Sequence, residues 1–128
     1  MDRVFTFPLK GERVDGQSRV IGPVNPIAGG APGGFADPVK LLDHYSRHGA
    51  DFGATSAAQY EQMADLFLNG PRGTGVLQKF RANGDRVRYH PVTEAFGVVK
   101  PDGTIRTYYK PAPAVHGYPT NLDYFHAQ

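Results

Sequence analysis

The stretch Val76–Pro111, VLQKFRANGDRVRYHPVTEAFGVVKPDGTIRTYYKP, decides the fold. It divides into four short runs of β-branched and aromatic residues separated by three turn signals, Asn83-Gly84-Asp85, Pro91-Val92-Thr93-Glu94 and Lys100-Pro101-Asp102-Gly103. Those turn residues supply a positive φ, a fixed φ, or a side chain that bonds to nearby backbone. The runs between them alternate in part with period two, which predicts an antiparallel meander. The last run places Arg106, Thr107, Tyr108, Tyr109 and Lys110 in a row. Folding alone does not require that density of polar and cationic groups. Ile105, Thr107 and Tyr109 are expected on one face, with Thr104, Arg106 and Tyr108 on the other. Thr107 and Tyr109 suit either a packed face or a chemical one. Arg86, Arg88 and His90 likewise read as a solvated cationic stripe or as a phosphate-binding one.

Upstream, Asp37-Pro38 has the chemistry of a helix start, an N-cap followed by Pro at the first helical position. Val39, Leu41, Leu42 and Tyr45 form an apolar stripe, and Gly49 is the expected C-cap. Ala50-Asp51-Phe52-Gly53 reads as a short loop or strand. Ser56 and Gln59 resemble a capping box for a second helix, with Tyr60, Met63, Ala64, Phe67 and Leu68 at helical spacing and Asn69-Gly70-Pro71 as its stop. Both helices precede the meander. The expected class is therefore α+β, with two N-terminal helices packed on a four- to five-stranded antiparallel sheet.

Residues 1–36 are punctuated by Gly and Pro and read as an irregular N-terminal arm, with Val4–Phe7 and Arg19–Ile21 as candidate short strands. Residues 37–111 form the core, and residues 112–128 a tail expected to be extended or partly loose. At 128 residues the whole reads as one domain.

Composition narrows the function. The chain has no cysteine, which removes disulfides, thiolate nucleophiles and Cys-based zinc sites. No apolar run approaches the roughly 20 residues of a membrane span, and the N-terminal residues lack a signal-peptide h-region. The net charge is only +2. Its distribution is more informative: from Arg72 to Lys110, eight basic residues face only Asp85, Glu94 and Asp102. That excess favours a polyanionic partner. There is no Walker pattern, no G-x-S-x-G elbow and no evident carboxylate pair. Gly29–Gly34 lacks the Lys-Ser/Thr of a phosphate loop and reads as a linker.

His44 and His48 lie four apart, half of a metal site on a helix. No Glu follows the first His as in H-E-x-x-H, and no Cys can complete the set, so no metal and no cofactor are expected. His44 reads as a surface helix residue. His48 sits at the helix terminus beside Arg47, where a neighbouring cation lowers an imidazole pKa toward the range useful for acid–base work.

Two stretches, HYSRHGADFG at 44–53 and NGDRVRYHPVTEAFGVVKPDGTIRTYYKP at 83–111, resemble the C-terminal toxin domains of bacterial polymorphic and contact-dependent growth-inhibition proteins. More broadly they resemble the barnase–EndoU–colicin–RelE nuclease superfamily, with colicin D-like domains nearest. The resemblance spans about residues 38–111. It implies a metal-independent endoribonuclease, directed at tRNA, cleaving by 2′-hydroxyl attack to a 2′,3′-cyclic phosphate. It implies His48, Thr107 and Tyr109 as catalytic residues and Arg47, Arg88, Arg106 and Lys110 as phosphate or RNA contacts. His90 and Arg81 are additional candidates, His90 standing where relatives more often carry Asp. The implied partners are the RNA substrate, a cognate immunity protein and a host elongation factor, with the domain itself a monomer. The implied setting is a larger secreted or cell-surface toxin that acts in the cytoplasm of a target cell. The rival from another class is a non-catalytic module that binds RNA or protein through the same basic, tyrosine-rich sheet. A third reading is a relative acting on nucleotides by other chemistry.

Overall fold

The computed structural model describes residues 33–128. The candidate strands at Val4–Phe7 and Arg19–Ile21, and nearly all of the N-terminal arm, lie outside the described residues. Two helices come first, α1 (Pro38–His48) and α2 (Ala57–Asn69), joined through a 3₁₀ turn at Gly49–Phe52. The meander follows as β1 (Leu77–Phe80), β2 (Arg86–Tyr89), β3 (Phe96–Val99) and β4 (Ile105–Tyr109). Neighbouring strands pair antiparallel in chain order. Phe35 adds one parallel bridge to Ile105, short of a fifth strand. The class is α+β, with both helices before the sheet.

Local chemistry sets the boundaries. The Asp37 carboxylate accepts from the Lys40 amide at 2.8 Å, and Pro38 occupies the first turn. The Ser56 hydroxyl accepts from the Gln59 amide at 3.1 Å, while the Gln59 side chain reaches back to the Thr55 amide at 2.6 Å. Gly49 is the C-cap of α1, as expected, and with φ −58° it carries the chain on into the 3₁₀ turn. The left-handed stop comes four residues later, at Gly53 with φ +70°. The α1 stripe is narrower than its sequence implies. Leu41 and Tyr45 pack on the core, whereas Val39 and Leu42 are exposed.

The register places Leu77, Tyr89, Phe96 and Tyr109 in one row across the sheet, and Lys79, Val87, Val98 and Thr107 in the next on the same face. The opposite face receives α2. There Tyr60, Ala64 and Leu68 pack with Phe35, Ala95, Val99, Ile105 and Tyr108. Leu68 seats directly on Gly97: a Cβ at that position would lie 2.9 Å from the Leu68 methyls and from the Thr107 carbonyl oxygen. The Tyr60 hydroxyl donates to the Tyr108 carbonyl, and Phe52 stacks on Tyr108 with ring centroids 4.0 Å apart. Full burial of side chains this large contributes roughly 2–3 kcal/mol each.

The tail is not extended. It forms two short helices, α3 (Pro113–His116) and α4 (Asn121–His126). Phe125 of α4 is buried against Val87, Tyr89, Phe96 and Val98, on the face away from α2. The sheet is therefore covered from both sides.

The stripe of Arg86 and Arg88 is structural. Both face α2, whose last carbonyls have no partners within the helix and sit at the negative end of its dipole. Arg86 donates to Leu68 O at 2.6 Å. Arg88, only 7 % exposed, donates to Phe67 O at 3.0 Å, Gly70 O at 2.7 Å and Gln78 Oε1 at 2.8 Å. A guanidinium held this way is not available to phosphate, which corrects the expectation for Arg88. Arg88→Ala leaves those acceptors unsatisfied, and we expect a loss of about 3 kcal/mol in urea unfolding. An unchanged midpoint would remove Arg88 from the fold's supports.

Candidate active site

The site forms where the end of α1 meets β4. The His48 imidazole lies against Tyr109, ring centroids 5.3 Å apart. Thr107, two residues earlier on β4, shares Tyr109's face of the sheet. Both are half-buried, as is His48. Among the described residues nothing hydrogen-bonds to either nitrogen of His48. Burial first, and then the Arg47 charge, holds its pKa below the ordinary 6.5. His44 is lowered for the same reasons, burial leading. It sits against Phe35 and His48, and its Nδ1 is buried with no partner among the described residues. His48 is thus a neutral imidazole at neutral pH, able to accept a proton.

Arg47 acts electrostatically on His48 and Arg81 on Tyr109, and further cations lie on β4 and just after it. A register shift between Val98 and Val99 leaves Arg106 without a partner across the strand, a bulge that re-aims a side chain. Arg106 Nε donates to Asp85 Oδ2 at 2.7 Å, so one edge of the guanidinium is fixed while the residue remains exposed. Arg81 stands 3.7 Å from the same oxygen and donates to Gln128 Oε1 at 2.6 Å. Asp85 is fully buried between them. Lys110 is exposed and lies 5.5 Å from the centre of the Phe52 ring. Arg47 points outward to Asp43 at 2.8 Å. An exposed pair of that kind is worth under about 1 kcal/mol, so Arg47 is readily released to another anion. His90 is not part of the group. Its Nδ1 accepts from the Val92 amide at 3.1 Å in the β2–β3 turn, and its ring borders Gly75.

The tail supplies residues that sequence reasoning missed. The Tyr109 and Tyr124 hydroxyls are 2.6 Å apart. Tyr124 in turn stacks on His116, centroids 4.3 Å apart and planes 8° from parallel. The tautomer of His116 follows from its neighbours. The Asn121 amide nitrogen donates to Glu94 Oε1 at 2.7 Å and to Pro111 O at 2.9 Å, both pure acceptors under these conditions. Asn121 Oδ1 therefore faces His116 Nε2, at 2.8 Å, and must accept its proton. His116 Nδ1 accepts from the Tyr118 amide at 3.1 Å. With both nitrogens engaged, His116 is held as a wedge against Tyr124. Glu94 Oε1 also accepts from the Tyr89 hydroxyl at 2.6 Å, and the Tyr89 and Asn121 bonds depress its pKa. Among the described non-glycine residues only Glu94 has positive φ, at 69°. Backbone strain of this kind costs about 1–3 kcal/mol and clusters at functional sites.

A signal for this tail exists in the sequence. Thr120 and Asp123 form an S/T-x-x-D/E start, and the Thr120 hydroxyl indeed accepts from the Asp123 amide at 3.1 Å. Tyr124 and Phe125 come directly after it. Nothing in the sequence indicates which strand face they cover. Among the described residues, no three His, Cys, Asp or Glu side chains come together in a metal-binding arrangement, and no helix is long and apolar enough to cross a membrane.

No protein-family profile matches the chain, and none of the curated proteins does. Among solved structures, the chain is similar to a ribonuclease from Escherichia coli, solved in complex with its inhibitor protein. The two share 19 % identity at a TM-score of 0.46, over 65 % of this chain and 95 % of that one.

The burial of His48 has a measurable consequence. Its ring resonances should titrate with a midpoint below 6.5 in NMR. Arg47→Gln should raise that midpoint only slightly, because burial is the larger cause. Folding opposes protonation here, so this contribution to stability is complete above 6.5 and is lost as pH falls through the folded value. A midpoint at or above 6.5 would mean that the imidazole is solvated.

Proposed function

We propose that this chain is a metal-independent endoribonuclease domain, acting on tRNA as the toxic part of a larger secreted or cell-surface protein and restrained by an immunity protein. One observation carries the reading. The two stretches that resemble such toxin domains are separated in sequence, yet their chemical residues converge, His48 on Tyr109. Thr107 on the same face and the half-exposed Arg106 beside it fit a substrate whose charge lies on phosphorus-bound oxygens.

The chemistry follows from these groups. Neutral His48 accepts the proton of a ribose 2′-hydroxyl as that oxygen forms its bond to phosphorus, a role worth about 10²–10⁴-fold. The P–O5′ bond breaks, the 5′-oxygen leaves and takes a proton from solvent, and a 2′,3′-cyclic phosphate remains. Negative charge grows on the non-bridging oxygens in the transition state. The hydroxyls of Thr107 and Tyr109 donate to them, and Arg106, Arg81 and Lys110 supply positive charge. Burial raises the pKa of Tyr109, which keeps its hydroxyl protonated and able to donate. A host elongation factor that presents the tRNA, and an acidic immunity surface that covers these cations, belong to the same proposal.

The test is incubation of the full chain with bacterial tRNA in EDTA, beside His48→Ala. We expect discrete fragments with the native chain and at least a 100-fold slower rate with the variant, while RNA binding in gel shift changes little. The cleavage rate should fall as pH drops through the His48 midpoint, which lies below 6.5, and the imidazole takes up a proton. Binding without cleavage by either protein would favour the binding module.

A further inference from the structure

Resting on the ribonuclease reading, the geometry points to Tyr124 as a positioning residue for the phosphate-binding hydroxyl of Tyr109. This makes the C-terminal helix a working part of the site. The Tyr109 and Tyr124 oxygens, 2.6 Å apart, share one hydrogen bond and leave one hydroxyl proton over. A phosphoryl oxygen on Tyr109 can only accept. The pair then orders in one direction: Tyr124 donates to the Tyr109 oxygen, and Tyr109 donates to phosphate. Two hydroxyls in series polarise one another, so the inner donor is strengthened by the outer one.

The relay is useful only if Tyr124 stays in place, and the tail is built to hold it. His116 stacks flat on the ring, fixed at Nε2 by Asn121 and at Nδ1 by the Tyr118 amide. Asn121 is fixed in turn by Glu94 and Pro111. At the far end of α4, Lys79 donates to His126 O at 2.7 Å and Arg81 to Gln128. Phe125 anchors the helix in the core. The ring of Phe96 contacts both tyrosines, with centroids 5.4 Å from Tyr109 and 5.2 Å from Tyr124. The titratable groups around the pair are His48 from α1, His116 from α3, Tyr118 from the α3–α4 connection and Arg81 from the β1–β2 turn.

The experiment compares the full chain with Tyr124→Phe, Tyr109→Phe and the double variant, with Val115→Ala, at an exposed residue of the same tail, as a control. With tRNA in EDTA, Tyr124→Phe should lower kcat about 10- to 100-fold with KM within about twofold. The double variant should be no slower than Tyr109→Phe alone, and Val115→Ala should match the native chain. A second readout needs no turnover: with ¹³Cζ-labelled tyrosines, a nucleoside 3′-monophosphate should shift both the Tyr109 and Tyr124 resonances. In Tyr124→Phe the Tyr109 shift should shrink. If the native chain cleaves no RNA, yet both resonances respond together, the ribonuclease reading fails and the hydroxyl relay stands. An unchanged kcat in Tyr124→Phe, or losses that multiply in the double variant, would overturn the relay. So would a nucleotide that moves Tyr109 alone.

Discussion

The site depends on the way the end of α2 is fixed to the sheet. Leu68 presses on Gly97 where no side chain would fit, and Arg86 and Arg88 take up the carbonyls that the helix leaves open. This sets the height of α2 over β2 and β3. Tyr60, two turns back along the helix, then meets Tyr108 and bonds to its carbonyl. Because Tyr108 is locked from the α2 side, alternation along the strand turns Tyr109 to the other face. Phe52 stacks on Tyr108 and holds the 3₁₀ turn beside β4, which leaves His48, at the end of α1, against Tyr109. A chain of packing thus carries the position of one glycine to the placement of one imidazole.

Charge on the sheet is divided by which face of a strand it occupies. Arg86 and Arg88 are consumed by a helix terminus, where desolvated guanidinium groups meet neutral carbonyls. Arg106 and Arg81 meet at a buried carboxylate instead. Asp85 neutralises part of their charge and fixes their orientation, so the remaining N–H groups of Arg106 are aimed rather than free to wander. In the proposed reaction, preorganisation of this kind lets a donor serve the transition state without moving.

Much of the fold was legible because turn chemistry is local. Asn83-Gly84, Pro91–Glu94 and Pro101–Gly103 fix the hairpins whatever surrounds them, and the N-caps at Asp37 and Ser56 act within one helical turn. Failures came where the deciding partner is distant. The stripe Arg86-x-Arg88 is identical in sequence whether it faces solvent or a helix end, and only α2 decides. The tail looked loose because its prolines forbid long helices. Yet Phe125 and Tyr124 find an apolar strip on the sheet that no local pattern reveals. The candidate site was half legible: His48, Thr107 and Tyr109 stand in the stretches that resemble known toxin domains, while His116, Asn121 and Tyr124 are brought to them only by contacts across the sheet.

The central claim is that a ribose 2′-hydroxyl attacks phosphorus with His48 as its base. The most direct measurement is analysis of the ends left on a cleaved tRNA oligonucleotide in EDTA, next to the same strand 2′-O-methylated at the cleavage position. The account predicts a 2′,3′-cyclic phosphate and a 5′-hydroxyl, with no cleavage of the methylated strand. A 5′-phosphate with a 3′-hydroxyl, or cleavage that ignores the methyl group, would show water to be the nucleophile and would contradict it.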